Sequence, residues 1–164
     1  MTMLTLIGRA ERVQLPDHGD QLIPAKIDTG ADMSSIWATG VHEKDGQLSF
    51  VLFGKKSEFY TGKKVVLAAS NYKLTRIANS FGDKELRYVV QLRIIVNGRT
   101  IKAAFSLANR ARKMYPILLG RRLLHGKFVV DVSQGEPLIA AEKARLKKLQ
   151  QELRKSTENE EYAQ

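Results

Sequence analysis

The residue best placed for chemistry in this chain is Asp28, at the head of Asp28-Thr29-Gly30-Ala31. A carboxylate in a tight turn can serve as a general acid or base. Apolar Ile27 ends the strand expected before it and delivers Asp28 into that turn. Thr29 adds a hydroxyl that can bond backbone or a partner chain. Gly30 permits a backbone path or close approach that a Cβ would block. Taken alone, the tripeptide also reads as an Asx-type turn that ends a strand. Further along, Tyr115-Pro116-Ile117-Leu118-Leu119-Gly120-Arg121 runs an apolar strand into a glycine and then a short helical turn.

Other chemistries have little to work with. The chain has no cysteine, which excludes disulfides, thiol catalysis and Cys-ligated metals. His18, His42 and His125 are far apart and show no metal-binding spacing, so neither a metal nor another cofactor is expected. There is no GxSxG, no P-loop and no GxGxxG. The net charge is +10, and residues 141–164 hold six basic and five acidic side chains, so nearly all of it lies on the first 140 residues. From Leu86 to Val130 there are ten basic residues and no acidic one. This stretch reads either as a solvated basic surface or as a field that attracts a polyanion. Arg110, Arg112 and Lys113 are its best candidates for a positive rim that binds substrate, and Arg121 lies next to the Gly120 turn. The aromatics form no basic–aromatic array, so nucleic acid is the least favoured partner.

The elements that must hold these residues read as mostly strands. At 164 residues with 43% hydrophobic side chains, the chain is one folded domain with room for an appended tail. No apolar run reaches a membrane-spanning length and no signal peptide is evident, so a cytoplasmic protein is expected. Short strands are expected at Met3–Ile7, Arg12–Leu15, Leu22–Ile27, Ser34–Trp37, Leu48–Phe53, Lys64–Ala68, Leu86–Val96, Thr100–Leu107, Ile117–Leu119 and Phe128–Val132. Such spacing suggests an all-β sandwich or barrel. Asn97-Gly98 is the strongest hairpin signal. Composition shifts near Pro137 to good helix formers, with Leu146, Leu149 and Leu153 in a narrow stripe. That tail reads as a short seam or as a helix lying back on the strands, fraying from residue 156.

Together the two motifs resemble the retropepsin-like aspartic peptidases. Asp28 to Ala31 match the catalytic loop, and Ile117 to Arg121 match the strand that braces it. The likeness extends to a bacterial branch once labelled ATP-dependent zinc proteases and associated with ATP-grasp ligases that add glutamates. Its pattern is met by Ala25 to Ala31, Ser34-Ser35, Glu85 with Arg87, Tyr115 to Arg121, and Val130-Asp131. The resemblance implies an all-β, closed barrel or sandwich over residues 1–135, with a short helix, followed by a helical tail over 136–164. It implies Asp28 as catalytic, Thr29 and Gly30 beside it, and Ala31, Gly120 and Arg121 supporting the loop. The zinc and the ATP of the old label find no site in the chain.

Aspartic peptidases pair two carboxylates across one water, and this chain has one Asp-Thr-Gly. A two-fold homodimer with Asp28 on the axis supplies the second. The covering hairpin is expected around Phe53–Thr61, with Gly54 and Gly62 as flexible points. The expected function is hydrolysis of peptides, Glu-rich ones above all, including a glutamylated protein. The alternative is a catalytically silent module of the same fold that holds an acidic peptide or an ATP-grasp ligase.

Overall fold

The computed structural model describes residues 3–79 and 81–161. In chain order the elements are β1 (Thr5–Ile7), β2 (Ala10–Gln14), β3 (Ile23–Ile27), β4 (Ser34–Lys44), β5 (Gln47–Leu52), β6 (Lys64–Ala68), β7 (Tyr72–Ala78), β8 (Lys84–Val96), β9 (Arg99–Ala108), β10 (Ile117–Leu119), α1 (Arg121–Leu124), β11 (Phe128–Val130) and α2 (Ile139–Glu161).

The short strand β10 organises the fold. It pairs in parallel with β3 and antiparallel with β4, so Ile117 lies opposite both Ala25 and Ile36. From β3 the pairings run through β2, β8 and β9 back to β4 and form a ring-like sheet. Ile117 and Leu119 are fully buried, as are Val13, Ala25, Ile36, Ile94 and Phe105 around them. A strand flanked on both sides inside the core needs unbroken apolar character, which Ile-Leu-Leu provides. β5 and β6 extend the sheet from the far half of β4, β7 lies on the first half of β8, and β1 with β11 makes a separate parallel ribbon.

The all-β architecture with one short helix and a terminal helix is the expected one. At the Asn97-Gly98 turn, φ is +45° and +79°, as a two-residue type I′ hairpin requires. Two elements differ from expectation. β7 was not anticipated, because Tyr72–Ala78 carries Lys73 and Arg76 and no residue of it is fully buried. Its strand form comes from its ladder with β8, Tyr72 opposite Val90 through Ala78 opposite Lys84. α2 remains helical through the stretch expected to fray, as far as Glu161. The Ser156 and Thr157 hydroxyls donate to the carbonyls of Glu152 and Leu153, one turn back, and so do not compete with the helix. Nor does α2 lie back on the sheet: Leu146, Leu149 and Leu153 are 60%, 46% and 68% exposed.

Candidate functional site

β3 ends where its last residue meets β10, and the chain turns sharply. The Asp28 N–H donates to the Leu119 carbonyl (2.9 Å), which fixes the start of the turn to the central strand. The Asp28 Oδ1 then accepts from the N–H groups of Gly30 (3.0 Å) and Ala31 (3.2 Å). The Asx turn is therefore real, and it orients one carboxylate oxygen while neither of these bonds uses Oδ2.

Gly120 sits directly under this loop. A Cβ there would lie 2.8 Å from the Ala31 carbonyl oxygen and equally close to the Met33 carbonyl, so any other residue would force main chain to shift. Its N–H donates to the buried Ser34 hydroxyl (3.0 Å). The next two N–H groups, of Arg121 and Arg122, donate to the carbonyls of Ala31 (2.7 Å) and Asp32 (3.1 Å). The Arg121 guanidinium reaches back to the carbonyls of Gly30 (2.7 Å) and Thr29 (3.3 Å). Asp32 pairs with Arg122 at 2.8 Å. The sequence motif 117–121 thus clamps the sequence motif 28–31 through backbone and guanidinium together.

Asp28 opens onto a groove of about 760 Å³. Ala31, Met33, Ser35 and Leu118 line it near the loop, and Ser106, Ala108 and Asn109 extend it along β9. Thr75, Arg76, Ile77, Ala78, Asn79 and Arg87 come from the β7–β8 hairpin, which also lines the groove. The hairpin's turn is closed by the Asn79 side chain, which accepts from the N–H groups of Phe81 and Asp83. Phe81 projects from it, 90% exposed.

The expected cover, Phe53–Thr61, is elsewhere. That segment forms no strand. Phe53 is buried with its ring edge-on to Phe59, and Gly54 packs against the Trp37 indole. An apolar anchor at Phe53 commits the segment to the core, so it cannot act as a free hairpin.

Of the expected basic rim, Arg110 and Lys113 line the groove, whereas Arg112 is not among its lining residues. Arg76, Arg87, Arg121 and Arg122 also line it. Burial, with Arg87 beside it, pushes the Arg110 guanidinium below its ordinary value, and Asp28 opposes that shift. Arg87 is paired with Glu85 from the same strand, which accounts for the Glu-x-Arg spacing. Asp131 takes no part in the groove. It accepts from the Ser133 N–H and hydroxyl, which hold its carboxyl below the usual range. No group of three or more His, Asp or Glu among the described residues is placed to hold a metal ion.

What the sequence reading missed is the contribution of β7 and β8. Their cations lie far from the motifs along the chain, and only the Glu85-Arg87 pair carried a signal.

Three comparisons relate the chain to known proteins. The sequence profile described as retropepsin-like aspartic endopeptidase RimB matches residues 6–140. Proteins named probable alpha-L-glutamate ligase match over 135 residues at 31% identity in Shewanella pealeana and in Shewanella halifaxensis, covering 79% of this chain. The match covers 29% of either relative, so the chain spans under a third of their length. Among solved structures, the Legionella pneumophila protein Lpg0085, of unknown function, is 27% identical with a TM-score of 0.59, over 79% of this chain and 95% of that one.

Proposed function

The chain belongs to the RimB-like family of retropepsin-like aspartic endopeptidases, and from that premise we propose that it is a homodimeric peptidase acting on acidic peptides. The observation that carries this reading is the Asp28 carboxylate, oriented by Gly30 and Ala31 in a groove lined also by the β7–β8 hairpin. Peptide hydrolysis of this type needs two carboxylates sharing a proton about one water. Asp32 is the other carboxylate lining the groove, and it is committed to Arg122. Asp28 of a second copy, related by a two-fold axis, completes the pair. One carboxylate takes a proton from the water as it attacks the carbonyl carbon. The other donates a proton to the carbonyl oxygen; the first then passes the water's proton to the amide nitrogen while the second takes one back from the gem-diol, and the C–N bond breaks to release an amine and a carboxylic acid. Thr29 steadies the pair across the axis. Arg121 and Gly120 keep each loop in place.

The β1–β11 ribbon supports association. Leu6 lies opposite Val129, and both side chains are about half exposed, with Leu4 and Val132 also exposed nearby. Such a patch is what an isologous interface would bury.

The cations around the groove favour acidic chains. The match to part of proteins named alpha-L-glutamate ligases makes glutamyl chains, or a protein bearing them, a fitting substrate and such a ligase a fitting partner. Among the described residues no helix is long and apolar enough to cross a membrane, and the cytoplasm is the compartment we assign. The β fold over residues 1–135 carries the activity and α2 is an appendage to it. A second reading keeps the groove as a silent binding module for the same acidic chains; the ligase names of the relatives favour it.

The deciding experiment compares the protein with its Asp28→Asn variant on Glu-rich, neutral and Lys-rich peptides. Cleavage that depends on Asp28 and prefers Glu-rich peptides is expected. Binding of the Glu-rich peptide without cleavage would select the silent module. Inhibition by a chelator, reversed by zinc, would overturn the aspartic mechanism.

A further inference from the structure

We propose that Arg87 and Arg110 form a two-guanidinium clamp that grips one carboxylate of the bound chain beside Asp28. The proposal rests on reading the groove as a peptide site. It differs from a diffuse positive field in naming one position and one geometry.

Each side chain is held through its own Nε. The Arg110 Nε donates to the Tyr115 carbonyl (3.0 Å), and the Arg87 Nε donates to Glu85. For either residue, the Nη groups have no hydrogen-bond partner among the described residues. Both residues line the groove that Asp28 opens onto, and neither is fully exposed. Arg87 is 18% exposed at its side chain.

Two like charges brought together in a partly desolvated groove repel, and an anion between them removes the penalty. The nearby carboxylates leave these Nη groups unfilled: Glu85 meets Arg87 at Nε, Asp32 pairs with Arg122, and Asp28 holds its own loop through Oδ1. The open Nη donors are therefore available to a carboxylate of the ligand. A planar carboxylate matches a guanidinium fork in a way a lone ammonium does not. Arg87 belongs to the β7–β8 hairpin and Arg110 to the loop after β9, so a carboxylate held by both would also draw the hairpin onto the bound chain.

The test measures binding to the Asp28→Asn protein by calorimetry, with hexapeptides that differ only in Glu or Gln at each position. The Glu peptide should bind about tenfold or more tightly than its Gln twin, as expected for charge-assisted bonds in a partly buried site. Arg110→Met and Arg87→Met should each bring that ratio close to one. Arg110→Lys keeps the charge without the fork; it should lose most of the ratio and serves where Arg110→Met fails to fold. Arg112→Met removes one charge from the same loop outside the groove and should leave the ratio unchanged. Equal falls for Arg112→Met and Arg110→Met, or a ratio untouched by Arg87→Met and Arg110→Met, would overturn the clamp. Cleavage by the Asp28 protein reads the parent proposal separately. An Arg-dependent preference without cleavage leaves the clamp and removes the peptidase. Cleavage blind to Glu against Gln does the reverse.

Discussion

Asp28 and Gly120 illustrate two different kinds of necessity. In Asp28→Asn the side-chain carbonyl oxygen can still accept from Gly30 and Ala31, so the loop should keep its shape. Only the acid–base function proposed for Asp28 should disappear. Peptide hydrolysis should fall about 10²-fold or more, with the thermal midpoint nearly unchanged. Turnover at the parent rate in that variant would rule out the aspartic mechanism. Gly120→Ala fails for another reason. The added methyl meets main-chain atoms of Ala31 and Met33 at 2.8 Å, and main chain cannot rotate away as a flexible side chain can. A loss of about 3 kcal/mol or more is expected from denaturant unfolding, at the upper end for overpacking. An alanine variant as stable as the parent would show that the loop can slide, and that the clamp matters less than its geometry suggests.

The β7–β8 hairpin and α2 are both elements whose role depends on what lies beneath one end. The hairpin reaches the groove because β7 is paired along its length with β8, whose second half is core. α2 is anchored by its first turn alone. The Tyr115 hydroxyl accepts from the Leu138 N–H and donates to Glu142, and Arg9 grips the same carboxylate through two bonds of 2.8 Å. Arg9 above all, with help from Tyr115, holds the Glu142 carboxyl below its ordinary value. A depressed carboxyl stabilises the docked state at pH above its unfolded value, and the contribution fades as pH falls through the folded one. The docked first turn should therefore loosen below roughly pH 4. The effect should be small, since the pair is solvent-exposed. Hydrogen exchange of the first turn of α2 from pH 7 to pH 3 measures it; protection that rises on acidification would contradict the sign. Deleting the chain from Ala141 should leave the sheet folded, with a loss of only a few degrees in thermal midpoint. Unfolding of that truncated protein would make α2 part of the fold.

Assembly and electrostatics belong to the molecule as a unit. Under the proposed homodimeric mechanism, activity and dimerisation should fail together. Leu6→Asp with Val129→Asp puts charges on the exposed faces of the β1–β11 ribbon, where burial against a second copy would be heavily penalised. This variant should sediment as a monomer and lose hydrolysis while keeping its circular dichroism. A fully active strict monomer would sink the dimer. The groove carries Arg76, Arg87, Arg110, Lys113, Arg121 and Arg122, so preference for Glu-rich peptides should weaken as salt rises. At physiological ionic strength the screening length is about 8 Å, which leaves short contacts and removes the long-range field. Preference unchanged up to 1 M salt would mean that contact alone decides.

The two motifs and the all-β class were legible in the chain because their causes are local. Asp28-Thr29-Gly30 needs a turn that those residue types make, and Ile117 to Gly120 needs an unbroken apolar run and then no side chain. The Asn97-Gly98 hairpin is local for the same reason: positive φ is a property of two residues. The β7–β8 hairpin was not legible. β7 buries no residue fully, so it lacks the apolar alternation that marks a strand, and β8 imposes its form from outside. Phe53–Thr61, with Gly54 near its start and Gly62 just beyond its end, had the glycines expected of a mobile cover, but a buried Phe53 ties it to the core. The basic stretch was visible as composition, whereas its division was not. Arg110 faces the groove, Arg112 does not, and Arg87 reaches it from another strand. Which charges converge is decided by strand pairing and side-chain direction across distant parts of the chain, and neither is encoded in the spacing of any single segment.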